Sequence, residues 1–473
     1  MSTNFQKTIQ TLIAILNVAL LVMVFFLVWS NFYNNTLPIP FFRRGNYILY
    51  MLYAVILYAF ILLMKGHRIG SLRILEIVLS QAIALILTNI VTYFQVSLLS
   101  YKLAPVGGFL LMTAAQIVLA AIWAVLSNRV YNRIFAPQKM VFLYDDPSKV
   151  TLANKLNVIK ERFSICYYVD AVSEKSRIAQ IVEQYPAVLV AVNDPAMQEW
   201  LIRLCYEKQK RLYFMPSITD VIKNGAQGVH AVDTPLLLCR NGRLTTEERI
   251  IKRAFDLLVS AIGIIVLSPL MLVTAAAIWL YDRKGVIYTQ PRLTRDARVF
   301  NLYKFRSMVV DAEKDGVRLT VTNDERVTPV GRFIRKCRLD ELPQLFNILL
   351  GDMSFVGPRP ERPEIAAEYE REFPAFRYRL NVKAGLTGNA QVYGNYDTSS
   401  QDKLLMDLMY IENYSFLQDL SLMFQTLRII LIPSRAEGFQ EDPVLLMHSA
   451  EGFIKKAEPS AEADRSHSIH LSD

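Results

Sequence analysis

Asp340 and Glu341 are adjacent carboxylates in R-L-D-E-L-P-Q-L-F-N-I-L-L-G-D-M-S-F-V-G-P-R-P, residues 338–360. Cations crowd them in sequence: Arg335 and Lys336 lead in, Arg338 opens the stretch, and Arg359 closes it between Pro358 and Pro360. Upstream, Lys304 and Arg306 stand two residues apart in N-L-Y-K-F-R-S-M. On a strand this spacing puts both on one face, ready for phosphate oxygens. A carboxylate pair among cations is a place to handle a metal ion and a phosphate. Plain structural readings stand beside that one. Asp340 could cap the helix that follows, with Pro343 in its first turn. Lys304 and Arg306 could be solvated charges, and Arg359 part of a rigid surface turn.

The rest of the chain must position these residues. It has 473 residues, room for two or three domains, and at 52% hydrophobic it is too apolar for an ordinary soluble protein. The net charge is +9, but the basic residues flank apolar runs, which points to lipid and membrane orientation, not to nucleic acid. Four apolar stretches, residues 9–28, 48–64, 74–99 and 107–126, each approach the ~20 residues that cross a bilayer. The first is too long for a cleaved signal peptide and three more follow it. A four-helix transmembrane domain is therefore expected over 1–137. Lys65, Arg68 and Arg73, then Arg129, Arg133 and Lys139, assign their loops to the cytoplasm, while Arg43, Arg44 and Lys102 vote the other way. Glu76, at the start of the third helix, reads as a solvated helix end.

Residues 138–240 change to soluble composition. Short apolar runs at 141–144, 165–169, 188–192 and 212–215 alternate with helical spacing, which predicts a Rossmann-like parallel α/β domain. Its first turn reads Y-D-D-P-S-K where a dinucleotide site would carry G-x-G-x-x-G, so a structural or regulatory module is the reading, with a degenerate nucleotide site as the alternative. Cys166, Cys205, Cys239 and Cys337 are scattered and read as buried thiols in a reducing compartment.

Residues 241–284 hold a linker and a fifth apolar segment, cationic at both ends and interrupted by Ser268-Pro269. Proline removes a helix hydrogen bond, so a kink is expected there. A full crossing would carry the basic residues that follow away from any cytoplasmic donor. The expectation is a helix–break–helix that re-enters one leaflet. A catalytic domain follows over 285–440, with an apolar-faced helix near 416–432 that suits either the interface or a core. Residues 441–473 read as a disordered tail.

Taken together, K-R-A-F-D…L-S-P-L, Y-K-F-R-S-M, the 338–360 stretch and V-K-A-G-L-T-G-N-A-Q-V-Y-G resemble the bacterial sugar transferase domain over about 252–432. That domain belongs to the polyprenyl-phosphate hexose-1-phosphate transferases, the monotopic phosphoglycosyl transferases. Four preceding helices and a Rossmann-like insert are similar to the large exopolysaccharide and capsule type. Ala390 stands where the family often has Trp, and Tyr393-Gly394-Asn395 where it often has a Ser-Gly-Arg type turn.

The resemblance implies a membrane protein with an α-helical bundle, a Rossmann-like α/β domain and a mainly helical α/β catalytic domain with a re-entrant helix. It implies that Asp340 is the nucleophile of the Asp-Glu dyad and that hexose-1-phosphate passes from a UDP-sugar, glucose or galactose, to undecaprenyl phosphate. Mg²⁺ is expected on Asp340 and Glu341, since a hard site with few protein ligands suits it. Lys304, Arg306, Arg335 and Arg359 are the expected phosphate ligands. The implied location is the bacterial cytoplasmic membrane, multi-pass, with catalysis on the cytoplasmic face; homo-oligomer formation is left open. A transferase that moves the sugar alone, releasing UDP, and a non-enzymatic membrane scaffold or sensor are the competing readings.

Overall fold

The computed structural model describes residues 3–157, 162–310, 312, 324–394 and 398–431. The expected tail at 441–473 and Asn395 lie outside the described residues. The chain divides into two compact units, Leu126–Met215 being the body of one, and residues up to Val125 together with those from Pro216 onward forming the other.

Helices α1 (Thr3–Val28), α2 (Arg44–Leu63), α3 (Ile74–Leu99) and α4 (Val106–Ile134) coincide with the four apolar runs. Among the described residues, five helices are long and apolar enough to cross a membrane, these four and one that follows. The bundle interior is neutral but not wholly apolar. Tyr53 donates to Asn89 Oδ1 (2.8 Å), and Asn89 donates to Thr113 Oγ1 (2.8 Å) and Gln116 Oε1 (2.9 Å). Such interhelical hydrogen bonds fix which helix faces which where the apolar surfaces alone are interchangeable with lipid.

The Leu126–Met215 unit contains strands β1 (Gln138–Tyr144), β2 (Phe163–Asp170), β3 (Ala187–Ala191) and β4 (Arg211–Phe214), with helices α5 (Val150–Asn157), α6 (Ile178–Gln184) and α7 (Pro195–Glu207) between them. The sheet is parallel in the order β2-β1-β3-β4, as the alternation predicts. At the switch point beyond β1 and β3, Asp145 accepts from Lys149 Nζ (2.6 Å) and from the Asn193 backbone N–H (2.5 Å). Lys149 also donates to the Ala191 carbonyl (3.1 Å), tying the ends of β1 and β3 together. The thiol expectation needs correction: Cys205 is buried, whereas Cys166, Cys239 and Cys337 are exposed.

The other unit departs from the expected boundary at 240. Helix α8 (Ile218–Asn224) inserts Val221 into the core of the C-terminal domain, because its apolar face matches that core and not the sheet. An exposed hairpin of β5 (Gln227–Ala231) and β6 (Thr234–Leu238) leads to α9 (Thr246–Asp282). Thereafter come the antiparallel pair β7 (Ile287–Leu293) and β8 (Val299–Phe305), α10 (Pro329–Lys336), α11 (Gln344–Leu350), β9 (Ser354–Val356), α12 (Pro363–Glu372), β10 (Gly385–Thr387), α13 (Asn389–Tyr393), α14 (Ser400–Glu412) and α15 (Phe416–Ile430).

Helix α9 runs through the expected break at Ser268-Pro269 as one helical element, with Pro269 inside it. Pro269 cannot donate to the Ile265 carbonyl, and Ser268 Oγ takes that carbonyl instead (2.8 Å), so no backbone acceptor is stranded. One stripe of α9 packs on the catalytic core along its length, through Lys252, Asp256, Val259, Ile264, Leu267, Met271, Ala275 and Ile278. The opposite face leaves Leu258, Ile262, Ile265, Val266, Leu272 and Val273 exposed. The K-R-A-F-D motif is a set of bolts. Lys252 pairs with Asp419 of α15 at 2.6 Å, and Asp256 accepts from Ser354 Oγ and the Phe355 N–H, both 3.1 Å. Arg253 caps the C-terminal carbonyls of α11, Ile348 (2.7 Å) and Leu349 (2.8 Å). Gly351, left-handed at φ 95°, ends α11 beneath that guanidinium.

Helix α15 is a core helix and also meets the bundle. Ser421 Oγ donates to the Leu63 carbonyl (2.8 Å), Arg428 to Ser80 Oγ (3.1 Å), and Phe424 meets Phe60 edge-on. The α2–α3 loop, with Lys65, therefore faces the catalytic domain. Replacing Lys252 by Met strands a buried Asp419 and is expected to cost about 3–5 kcal/mol. Thermal unfolding in detergent should show a lowered midpoint that Asp419→Leu in the same chain largely restores.

Candidate active site

Strand β8 continues its inward series Phe300, Leu302 with Lys304. One edge of β8 pairs with β7 and the other receives a side chain. Asn347 of α11, fully buried, donates to the Asn301 carbonyl (2.8 Å) and accepts from the Tyr303 N–H (2.9 Å). This amide imitates a neighbouring strand and ties α11, just after the dyad, to the strand that bears Lys304. The dyad itself occupies a 3₁₀ turn, Leu339–Glu341, entered through Arg338 in the left-handed region (φ 56°). A non-glycine residue there costs about 1–2 kcal/mol, a strain that positions at functional sites often carry. Helix α11 begins at Pro343 with no side-chain cap, so the capping alternative for Asp340 is not what the turn uses.

Cations converge on Glu341. Its Oε1 lies 3.5 Å from Arg359 Nη2, 3.6 Å from Arg338 Nη1 and 3.7 Å from Lys304 Nζ. Burial would raise the Glu341 pKa, but Lys304, Arg359 and Arg338 outweigh it and hold the carboxyl at about 2. Asp340 goes the other way. Burial and then the charge of Glu341 raise its pKa, and Lys304, Arg335 and Arg338 offset this only in part. Burial also pulls the Lys304 ammonium below its ordinary range, with Glu341 opposing. One carboxylate is thus held as an anion and its neighbour is the more basic of the two, a difference set by environment.

Arg335, in the last turn of α10, reaches Asp340 through its charge. Arg306 is placed elsewhere, correcting the expected shared face with Lys304. It lies one residue past β8 and forms a two-pronged pair with Asp282 at the end of α9, 2.6 Å on each prong, with Nε on the Gly285 carbonyl (2.6 Å). The strand ends before the alternation can carry Arg306 inward. Ser268 and Pro269 lie within α9, with Pro269 on its exposed face.

Arg359 is held by two motifs, around Gly357 and Gly385, that lie far apart in the sequence. Gly357 N–H donates to the Thr387 carbonyl and Gly385 N–H to the Pro358 carbonyl, each 2.8 Å. A Cβ on Gly385 would fall 2.1 Å from the Gly357 nitrogen, so only glycine admits this approach. A shallow cleft is lined by Lys304, Gln344, Arg359 and Arg292 of β7. The sequence reading did not single out Arg292 or Gln344. A cation in the strand that pairs with Lys304's strand was the available signal for the first.

Among the described residues no group of three or more His, Cys, Asp or Glu could hold a metal ion. Mg²⁺ does not need one, since it takes one or two carboxylates and completes its shell with water and substrate phosphate. The ion pairs of Glu341 with Lys304, Arg338 and Arg359 run through Oε1, and such an ion would take its hard oxygens from Asp340 and Glu341 Oε2.

Comparison with known proteins bears on this geometry. The family described as bacterial sugar transferase matches residues 247–433. Among curated relatives, a UDP-N-acetylgalactosamine-undecaprenyl-phosphate N-acetylgalactosaminephosphotransferase of Aeromonas hydrophila is 44% identical over 52% of this chain and 59% of its own length. An undecaprenyl-phosphate galactose phosphotransferase of Salmonella typhimurium is 37% identical over 49% of this chain and 52% of its own. The chain thus spans little more than half the length of these two. An exopolysaccharide production protein of Rhizobium leguminosarum is 36% identical over 41% of this chain and 100% of its own length. Matched across the whole of that relative, and over the segment that carries the dyad and its cations, the chain belongs to the bacterial sugar transferase family.

Proposed function

We propose that the protein transfers hexose-1-phosphate from a UDP-sugar to undecaprenyl phosphate at a membrane surface, through a covalent intermediate on Asp340. The observation that carries this reading is the split dyad, a buried, basic Asp340 beside a Glu341 held ionised by Lys304, Arg338 and Arg359. An Asp340 oxygen attacks the sugar-bearing phosphorus, and the bond from that phosphorus to the bridging oxygen breaks, releasing UMP. An oxygen of the lipid phosphate then attacks the same phosphorus, the bond to Asp340 breaks, and the lipid-linked diphosphate sugar leaves. Dividing the exchange in two spares a direct encounter between two anions.

Lys304, Arg359 and Arg335 are the cations suited to the donor phosphates, and Arg292 extends the set along the cleft. Glu341 keeps Lys304 and Arg359 together between turnovers. Asp340 and Glu341 would hold Mg²⁺, which when bound supplies further neutralisation of the diphosphate. Arg306 acts at a distance, by fixing the end of α9.

The membrane geometry fits a lipid acceptor. Both ends of α9 are bolted to one domain, and its free face is apolar throughout, which supports a helix that enters one leaflet and returns. The contact of the Lys65 loop with α15 puts that basic loop beside the catalytic domain, as expected if both are cytoplasmic. The relatives are named for different sugars, so glucose, galactose and N-acetylgalactosamine donors all belong in the test.

Purified protein with polyprenyl phosphate and Mg²⁺ is expected to release UMP from one of those donors; UDP, or no nucleotide, would overturn the reading. Asp340→Asn should lower kcat at least about a thousandfold and abolish any trapped sugar-phosphate adduct. Glu341→Gln removes the charge that raises the Asp340 pKa, so Asp340 ionises at lower pH and the acid limb of log kcat should move down in pH. An unmoved limb would detach Glu341 from the nucleophile. Single cysteines at Glu247 and Lys284 should label from the cytoplasmic side alone if α9 re-enters, and from opposite sides if it crosses.

A further inference from the structure

The turn that carries Arg359 is held from behind through its backbone carbonyls, in part by groups the chemistry above does not use. Pro358 and Pro360 fix their own φ angles, so the remaining freedom of the turn lies in its carbonyls. The Arg359 carbonyl accepts from Arg379 Nη2 (3.0 Å), that of Pro360 from Arg292 Nη1 (3.1 Å), and that of Glu361 from the Leu293 N–H (2.9 Å). Arg379 belongs to the 3₁₀ stretch Pro374–Asn381 and is buried, with its guanidinium carbon 4.8 Å from the Phe376 ring centre. Its aim is set by Asp407 of α14, whose Oδ2 lies 3.0 Å from Nε and 2.8 Å from Nη2, with Glu361 Oε1 3.7 Å from Nη1. Asp407 is 1% exposed.

A buried Arg–Asp pair is a poor device for stability alone. Desolvating both ions offsets their attraction, and well-packed apolar residues of the same volume often do as well. Apolar residues could not donate to a carbonyl. What the pair adds is a directed N–H on the backbone of the residue whose side chain stands 3.5 Å from Glu341. We propose that Arg379 and Asp407 are positioning residues, which lock the Arg359 backbone so that its guanidinium is held in place for the donor phosphates. This rests on the reading of Arg359 as a phosphate-binding cation.

The pair has its own pH signature. Burial pushes the Asp407 carboxyl up to about 6 against the pull of Arg379; Glu361 adds to the rise, and Lys403, one turn earlier on α14, opposes it. Above that value Asp407 is charged and orients Arg379. As the pH falls through it, the carboxyl is neutralised and the lock loosens.

The test uses the full-length protein and whichever UDP-sugar supports wild-type UMP release. Wild-type KM for the donor should rise on acidification around pH 6. At pH 8, Asp407→Asn should raise that KM about tenfold with kcat within about twofold, since a displaced phosphate ligand costs binding before chemistry. Its KM should also no longer change around pH 6. Arg379→Lys keeps a charge but cannot span Asp407 and the Arg359 carbonyl together, and should raise KM similarly with the melting temperature little changed. Folded variants with wild-type KM and wild-type pH dependence, or a loss confined to kcat, overturn the assignment. If Asp407→Asn does not fold, Arg379→Lys decides alone. Wild-type protein that releases no UMP from any donor overturns the transferase reading and this inference with it; normal turnover with unaltered variants overturns the inference alone.

Discussion

Two adjacent carboxylates in a buried turn repel each other and lose hydration, and the catalytic domain is arranged around that cost. Three cations from three separate segments meet one oxygen of Glu341: Lys304 from β8, Arg338 from the turn, and Arg359 from the turn after β9. Each arrives by a different device. Asn347 fixes the strand of Lys304 by filling its open edge, a left-handed Arg338 starts the turn, and paired glycines bring the Arg359 segment against β10. Because all three cations lie on Glu341, Asp340 keeps the raised basicity that burial gives it. Moving the positive charge to Asp340 would produce a better ion pair and a less basic Asp340.

Helix α9 gives this arrangement its address. An apolar helix of 37 residues is about 55 Å long, well beyond the ~30 Å hydrocarbon core, so length alone does not say whether it crosses. The packing says more. A stripe at helical spacing from Lys252 to Ile278 lies on the catalytic core, and Asp282 closes it through Arg306. The helix and the domain form one body, whose exposed apolar face would sit in lipid while the dyad stays beside it. Charges at its two ends, read in the sequence as marking the cytoplasmic face, include three with protein partners: Lys252 with Asp419 and Arg253 with the α11 carbonyls at one end, and Asp282 with Arg306 at the other.

Much was legible in the sequence because it depends on local pattern. The four N-terminal helices are runs of apolar side chains, and the parallel sheet follows from strand-length runs alternating with helical spacing; both appear where expected, although α1 begins at Thr3 and α4 continues to Ile134, beyond their apolar runs. The importance of Asp340-Glu341 was legible from residue types and from four motifs in family order. Other parts depend on distant neighbours. Nothing within ten residues of Arg306 reveals that Asp282 will take it, and nothing near Pro269 except Ser268 reveals that the helix continues. The segment at 216–240 has the composition of the domain before it, yet its helix completes the core of the domain after it.

The sequence by itself therefore determined the apolar bundle, the parallel α/β unit, the carboxylate pair proposed to react and the family, since periodicity, composition and motif are properties of neighbouring residues. Tertiary structure alone decided which of the two carboxylates carries the counter-charge, which cations reach it, and which structural pair stands behind Arg359. Those outcomes turn on distances of 3–4 Å between segments tens of residues apart, and electrostatic energy at such range is set by burial and direction, which only the fold supplies.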